Sequence, residues 1–221
     1  FINPFKGLRP TIEKAASVPV PSTDHLSKEV VINHKKNNPW SYLNIFNPDG
    51  ENEKSASEIN SNAKEKFNSM KNNSVLIKDS TESFYIYRIS TKNHSQVGII
   101  GAAKLSAYDN LHIRGHEEIY FERSQKRFDQ MNNLNAQIGP IYVIYPDNKE
   151  LSELIKKQIN IKPIYSFTAL DDCKHELWVV KEKNIIIKIT DIFNSINRIY
   201  IADGHHRMEA LSKLAEFKKH Q

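Results

Sequence analysis

"RIYIADGHHRMEAL", Arg198 to Leu211, is the stretch on which the fold turns. Ile199-Tyr200-Ile201-Ala202 reads as a buried strand, and Met208 to Leu214 reads as a helix. Asp203, Gly204, His205, His206 and Arg207 therefore fall where a strand becomes a helix. A helix N-terminus presents unpaired N–H groups that can hold an anion. Two readings of this elbow stand side by side. In the first, Asp203 accepts backbone N–H bonds, Gly204 supplies a positive φ, and Arg207 pairs with a nearby carboxylate, all to start the helix. In the second, the five residues bind a ligand. Capping needs neither two adjacent histidines nor an arginine, and polar groups set against Ile201 and Ala202 are costly without partners. An anionic substrate would use Arg207 and a histidine on phosphate oxygens and the N–H groups after Gly204. Asp203 would then hold a metal ion or a substrate amine.

Outward from the elbow, the pattern mixes helices with hairpins. Ser27–Lys36 is expected to be a helix capped by Ser27, with Val30, Val31 and His34 on one face and Asn38-Pro39 as its stop. Pro48-Asp49-Gly50 is a turn signal. Ser55–Lys71 carries Ile59, Ala63, Phe67 and Met70 at helical spacing. Phe84–Ile89 and Gln96–Leu105 are expected to form a hairpin across Thr91–Ser95. Gly98 and Gly101 read as sites of close packing in that sheet. Helices are expected at 122–134 and 148–158, and strands at 141–145, 164–169, 176–180 and 185–188. A short helix at 191–195 then leads into the elbow. The expected fold class is α+β, a mixed sheet with flanking helices. Residues 1–105 are expected to form an N-terminal α+β region and 106–221 the region of the catalytic motifs, the two making one compact unit.

Composition narrows the function classes. Hydrophobic residues make up 39% of the 221 and charged residues 26%, which suits a packed core and no membrane span. The N-terminus has neither the basic nor the apolar region of a signal peptide, and no initiator Met. The single Cys173 excludes an internal disulfide and a zinc site with two thiolates; it is read as a bystander in a reducing, cytoplasmic setting. The net charge of +5 invites nucleic acid as a partner. The lysines are scattered, however, with no Arg-rich aromatic stripe, so a nucleotide or phosphorylated metabolite is the preferred anion.

Phosphate-loop, dinucleotide, zincin and serine-hydrolase signatures are absent. A second His-rich stretch remains, Arg114-Gly115-His116-Glu117-Glu118. It reads either as a solvated loop or as the seat of a general base, with Glu117 taking a proton from an attacking hydroxyl. His175-Glu176 is read as structural.

"YIADGHHR", Tyr200 to Arg207, resembles the most recognisable motif of a large, mostly bacterial family known as a domain of unknown function, number ten-fifteen. Further matches follow in order. Pro4–Pro10 resembles its "PFxxLRP", Asn38–Leu43 its "NPxSFL" and Tyr87-Arg88 its "YR". Tyr108, Ile113, His116 and Glu117 resemble its "DYxxGxIxxHExT". Arg127 falls on the arginine of its "DR", Gly139–Tyr142 resembles its "SPIF", and Leu177-Trp178 its "LW". Three departures stand out. Only Pro19 or Pro21 and Asp24 correspond to the family's "PYDV", Ile119 replaces the threonine after "HE", and Lys126 replaces the acid before Arg127.

That family in turn is similar to free-serine kinases of the ParB-like superfamily, which share a "DGHHR" after a strand and an "HE" on an earlier loop. The resemblance implies a ParB/free-serine-kinase-like core and a nucleotide-dependent small-molecule kinase that turns L-serine into O-phosphoserine with ATP or ADP and magnesium. It implies Glu117 and Asp203 as catalytic residues, and His116, Gly204, His205, His206, Arg207 and Arg127 as nucleotide- or phosphate-binding residues. It also implies a chain that continues beyond residue 221, so a C-terminal half of the family's chain is expected to be missing here. A ParB-like nucleotide-binding regulator without kinase activity is the alternative. A metal-dependent hydrolase using His116, Asp203, His205 and His206 is disfavoured, because adjacent histidines at a helix start do not face one ion. No metal ligand is assigned, and donor, acceptor and oligomeric state stay open. The kinase reading requires folding to bring Glu117 beside residues 203–207.

Overall fold

The computed structural model describes residues 1–21, 26–46 and 55–220. The expected turn at Pro48-Asp49-Gly50 and the counterpart residue Asp24 lie outside them. In chain order the elements are β1 Ile2–Asn3, β2 Leu8–Pro10, a 3-10 turn Ile12–Lys14, α1 Lys28–Asn37, α2 Leu43–Phe46, α3 Ala56–Asn72, β3 Leu76–Lys78, β4 Phe84–Ser90 and β5 Ser95–Ile100. There follow β6 Ala102–Ala103, α4 Leu105–Asp109, β7 Ile113–Arg114, α5 Phe121–Leu134, β8 Tyr142–Ile144, α6 Lys149–Gln158, β9 Tyr165–Thr168, β10 Lys174–Val180, α7 Lys183–Ser195, β11 Ile199–Asp203 and α8 His205–Lys219. The fold class is α+β. The chain forms two compact units that interleave in sequence. One combines 1–4, 101–156 and 182–221; the other combines 5–100 and 157–181. The chain is thus not divided by one cut between residues 105 and 106.

The second unit is built on an antiparallel sheet of order β5-β4-β10-β9. The hairpin β4–β5 forms as the sequence suggests, with Ser90 opposite Ser95, but its second strand ends at Ile100 and Leu105 opens a helix. Gly98 was expected to be a close-packing position; a Cβ there would meet nothing within 4 Å, so the residue faces open space. Helix α3 begins with a capping box in which Ser55 and Glu58 satisfy each other's backbone N–H groups. It buries Ala63, Phe67 and Met70. Helix α1, capped by Ser27, buries none of its residues, so its Val30, Val31, His34 face is not a core face.

The "PFKGLRP" opening proves to be a structural clamp of this unit. Arg9 forms a two-pronged pair with Asp79, with Nε at 2.9 Å and Nη2 at 2.8 Å from its carboxylate oxygens, and also donates to Tyr165 Oη. Tyr85 Oη donates to Asp79 at 2.7 Å and accepts from the Gly7 N–H at 2.8 Å. A Cβ on Gly7 would lie 2.7 Å from that hydroxyl, so the tyrosine requires glycine there. Burial works to raise the Asp79 carboxyl, but the hydrogen bonds of Arg9 and Tyr85 outweigh it and hold it below the usual range. Burial, with the Asp79 carboxylate, pushes the Tyr85 phenol up to about 12.

His175 and Glu176, read as structural, are buried and partnered within the sheet. Tyr87 Oη bonds His175 Nδ1 at 2.5 Å, and Glu176 pairs with Arg88 at 2.6 Å and Lys174 at 3.0 Å. Desolvation, then the hydrogen bond and charge of Asp171, push the Cys173 thiol up, away from the reactive thiolate.

The first unit holds a mixed sheet of order β7-β11-β8. Two expectations fail here. Residues 185–188 are not a strand; they belong to α7, which also absorbs the expected helix at 191–195. A β-branched run favours a strand by propensity, but Ile185, Ile189, Ile192 and Phe193 recur at i, i+4, i+7 and i+8. The helix buries Ile189, Ile192 and Phe193 and leaves Ile187 48% exposed. Nor is Ile199–Ala202 buried throughout: Ile199 and Ile201 face the core, whereas Tyr200 and Ala202 are exposed. That alternation is what a sheet covered on one face produces. Beyond the strand, Ala210 and Leu214 of α8 pack with Met131 of α5, flanked by Phe128 and Leu211.

Among the described residues, no helix is long and apolar enough to cross a membrane.

Candidate functional site

Strand order explains why distant motifs meet. β7 runs parallel to β11, with Ile113 beside Ile199 and Arg114 beside Tyr200. Parallel neighbours end at the same sheet edge, so the loop after Arg114 and the elbow after Asp203 emerge together. In open α/β sheets, ligands bind beyond such carboxyl ends. β8 runs antiparallel on the other side of β11 and starts there, with Tyr142 beside Asp203. Its approach through Gly139 therefore arrives at the same edge.

Helix α8 starts two residues after Asp203, so His205, His206 and Arg207 are its first turn rather than a preceding loop. Its cap position is Gly204 at φ 98°, which provides no side-chain hydrogen bond to the helix. The first-turn N–H groups thus have no cap from that residue.

Three contacts join the "HE" loop to the elbow. His205, 3% exposed, brings Nδ1 to 2.9 Å from Glu117 Oε2. This is a short electrostatic approach rather than an aligned hydrogen bond. The other ring nitrogen, Nε2, accepts the backbone N–H of His116 at 3.4 Å, which assigns the proton of a neutral ring to Nδ1, toward Glu117. The His116 ring stands edge-on to His205, with centroids 4.6 Å apart. A Cβ on Gly115 would come within 3.1 Å of His205 Cδ2, so this close approach depends on the glycine.

Arg207 folds back over the elbow. Its Nη2 donates to Asp203 Oδ2. Cβ atoms built on Gly204 and Gly139 would lie 2.9 Å from its Nε and 3.5 Å from its Nη1. Both glycines adopt positive φ, 98° and 79°, so the guanidinium rests against two backbone segments bare of side chains. Arg207 Nε and both ring nitrogens of His206 are buried atoms without a hydrogen-bond partner. Buried polar groups are nearly always satisfied, and leaving one unpaired costs about 1–3 kcal/mol. Three such nitrogens lie next to first-turn N–H groups, an arrangement that suits an anion.

His116, Glu117, Asp203, Gly204, His205, His206 and Arg207 are therefore brought together. Arg127 sits on the neighbouring helix α5 rather than in the elbow, with Nη1 donating to Gln130 Oε1 at 3.3 Å. Asp203 is 73% exposed at its side chain, with Arg207 as its partner, and Glu117 is 47% exposed. Among the described residues, no group of three His, Cys, Asp or Glu side chains is arranged to hold a metal ion. His205 turns to Glu117 while the His206 ring stands nearly perpendicular to Tyr120, so the two adjacent histidines diverge.

Sequence reasoning missed Gly115, Gly139 and Tyr120 as site residues. The Gly139-Pro140 dipeptide is a turn signal that could have singled out Gly139. Nothing local singles out Tyr120, whose ring is nearly perpendicular to that of His206 at 6.0 Å.

Fold and site together define an α+β protein whose small mixed sheet presents a His-Arg elbow and an adjoining glutamate at one edge. The chain belongs to the family described as a protein of unknown function, DUF1015, whose sequence model matches residues 2–221. No curated protein and no solved structure matches it.

Proposed function

We propose that this protein is a nucleotide-dependent small-molecule kinase with a ParB-like core, and that its acceptor is the hydroxyl of free L-serine. One observation carries the reading: an accessible carboxylate, Glu117, lies 2.9 Å from buried His205, in the same turn as the unpartnered nitrogens of His206 and Arg207. Phosphoryl transfer asks a protein mainly for positioning and charge neutralisation. Glu117 would accept the hydroxyl proton as the serine oxygen bonds to phosphorus and the bridging P–O bond of the donor breaks. Its electrons stay with the departing nucleotide. His205 orients the carboxylate. His206, Arg207 and the first-turn N–H groups bear the phosphate charge. The residues fit phosphates better than an all-protein metal cage. Magnesium is commonly held by one or two carboxylates together with substrate phosphates, and solvent-facing Asp203 suits that role.

The test incubates the full chain with L-serine, magnesium and either ATP or ADP, and looks for O-phosphoserine. Product is expected with one donor. Glu117→Gln should lose turnover while keeping nucleotide-induced thermal stabilisation, and Arg207→Ala should lose both. No product with either donor across a panel of hydroxylated amino acids overturns the kinase reading. Nucleotide binding without turnover would favour the regulator.

A further inference from the structure

Tyr120 lies just before α5 and takes no part in the core. It is 56% exposed, although large aromatic side chains usually bury much of their surface. Its ring stands nearly perpendicular to that of His206, at 6.0 Å and 78°, so it borders the cluster of unpartnered nitrogens. The Arg123 guanidinium carbon sits 5.4 Å from the ring centroid, which steadies the side chain and places positive charge beside it. A solvent-facing ring next to a cluster of unpartnered nitrogens matches the two ends of a nucleotide, one apolar and flat, the other charged.

We infer that Tyr120 is the stacking platform for the nucleobase of the donor, with Arg123 as its support. The inference rests on the phosphate reading of the elbow and adds to it the means by which a nucleotide is told from inorganic phosphate. The neighbouring Phe121 provides an internal control. It is still more exposed, at 67%, but its ring is engaged by Lys213, two turns along α8 from His206. If exposed aromatic surface alone mattered, Phe121 would matter more. If the position beside His206 matters, only Tyr120 will.

The experiment measures binding of ATP and of inorganic tripolyphosphate by calorimetry to the full chain and to Tyr120→Ala, Tyr120→Phe and Phe121→Ala. Base–aromatic stacking measured by alanine substitution corresponds to a loss of about 5- to 150-fold. Tyr120→Ala should weaken ATP within that range and leave tripolyphosphate unchanged, which also shows that the elbow is folded. Tyr120→Phe and Phe121→Ala should bind both like the parent. An equal loss for both ligands in Tyr120→Ala, no loss at all, or the same loss in Phe121→Ala overturns the platform and leaves the phosphate reading standing. Failure of the parent chain to bind either ligand overturns both.

Discussion

Gly204→Ala probes the elbow at its tightest point. Gly204 has φ 98° and ψ 25°, a conformation that costs an L-residue about 1–2 kcal/mol. The added Cβ would also lie 2.9 Å from Arg207 Nε, closer than real Cβ atoms come, and 3.0 Å from Nη2. The guanidinium can swing away, and it then loses its pairing with Asp203. Since that carboxylate is 73% exposed, the pair adds at most about 1 kcal/mol. Against this, alanine reduces the entropy of the unfolded chain, a gain of about 0.4–1 kcal/mol. The net expectation is a destabilisation of about 1–2 kcal/mol. For a chain of this size, that corresponds to a melting temperature lower by about 2–8 °C. Scanning calorimetry without ligand measures it. Gly98→Ala is the matched control: its Cβ meets nothing within 4 Å, and glycine inside a strand is itself unfavourable. That variant should be neutral or slightly stabilising. If Gly204→Ala melts with the parent, the backbone at 204 is not left-handed and Arg207 does not lie over it, so the elbow is not arranged as described.

Two further outcomes test the fold that carries the site. Asp79, Asp171 and Glu176 all titrate below their ordinary values in the folded chain. A depressed carboxyl contributes stability above its unfolded pKa and loses it as pH falls through the folded value. Stability should therefore drop as pH falls below about 4, and for Asp79→Asn the drop should be shallower, as followed by urea unfolding at several pH values. In α7, Ile189→Ala should cost about 2–5 kcal/mol and Ile187→Ala under about 0.5 kcal/mol, because the first is fully buried and the second 48% exposed. Similar losses at both positions would contradict the helix.

Local patterns carried much of the architecture into view. The capping box at Ser55, the stripe Ala63-Phe67-Met70 and the hairpin between Phe84 and Ile100 all depend on residues close in sequence, and such signals survive folding. The run Ile185–Ile187 misled for the same reason: branching at Cβ is the louder local signal, but the contacts of Ile189, Ile192 and Phe193 decide the outcome. Interleaving of the two units was hidden because no composition shift marks residue 100 or 157. The opening motif gave its residues but not its purpose. That Arg9 meets Asp79 and Tyr165 is known only once a sheet brings segments 70 and 156 residues apart to one clamp.

The site divides in the same way. Asp203 to Arg207 could be placed at a strand–helix junction because a short apolar strand precedes them and a helix-forming stretch follows. The approach of Glu117 could not be read, since it depends on β7, a strand of two residues with no detectable periodicity. Yet that short pairing is decisive. Were Ile113 and Arg114 antiparallel to β11, the "HE" loop would leave the sheet at the end remote from the elbow, and Glu117 could not reach His205. Parallel pairing puts both loops at one edge, and glycine at 115 then lets the backbone close over the imidazole to within hydrogen-bond reach. The chemistry of this elbow thus rests on two hydrogen-bonded residue pairs and one missing side chain, which explains why motifs so far apart in the chain act as one site only when the sheet forms.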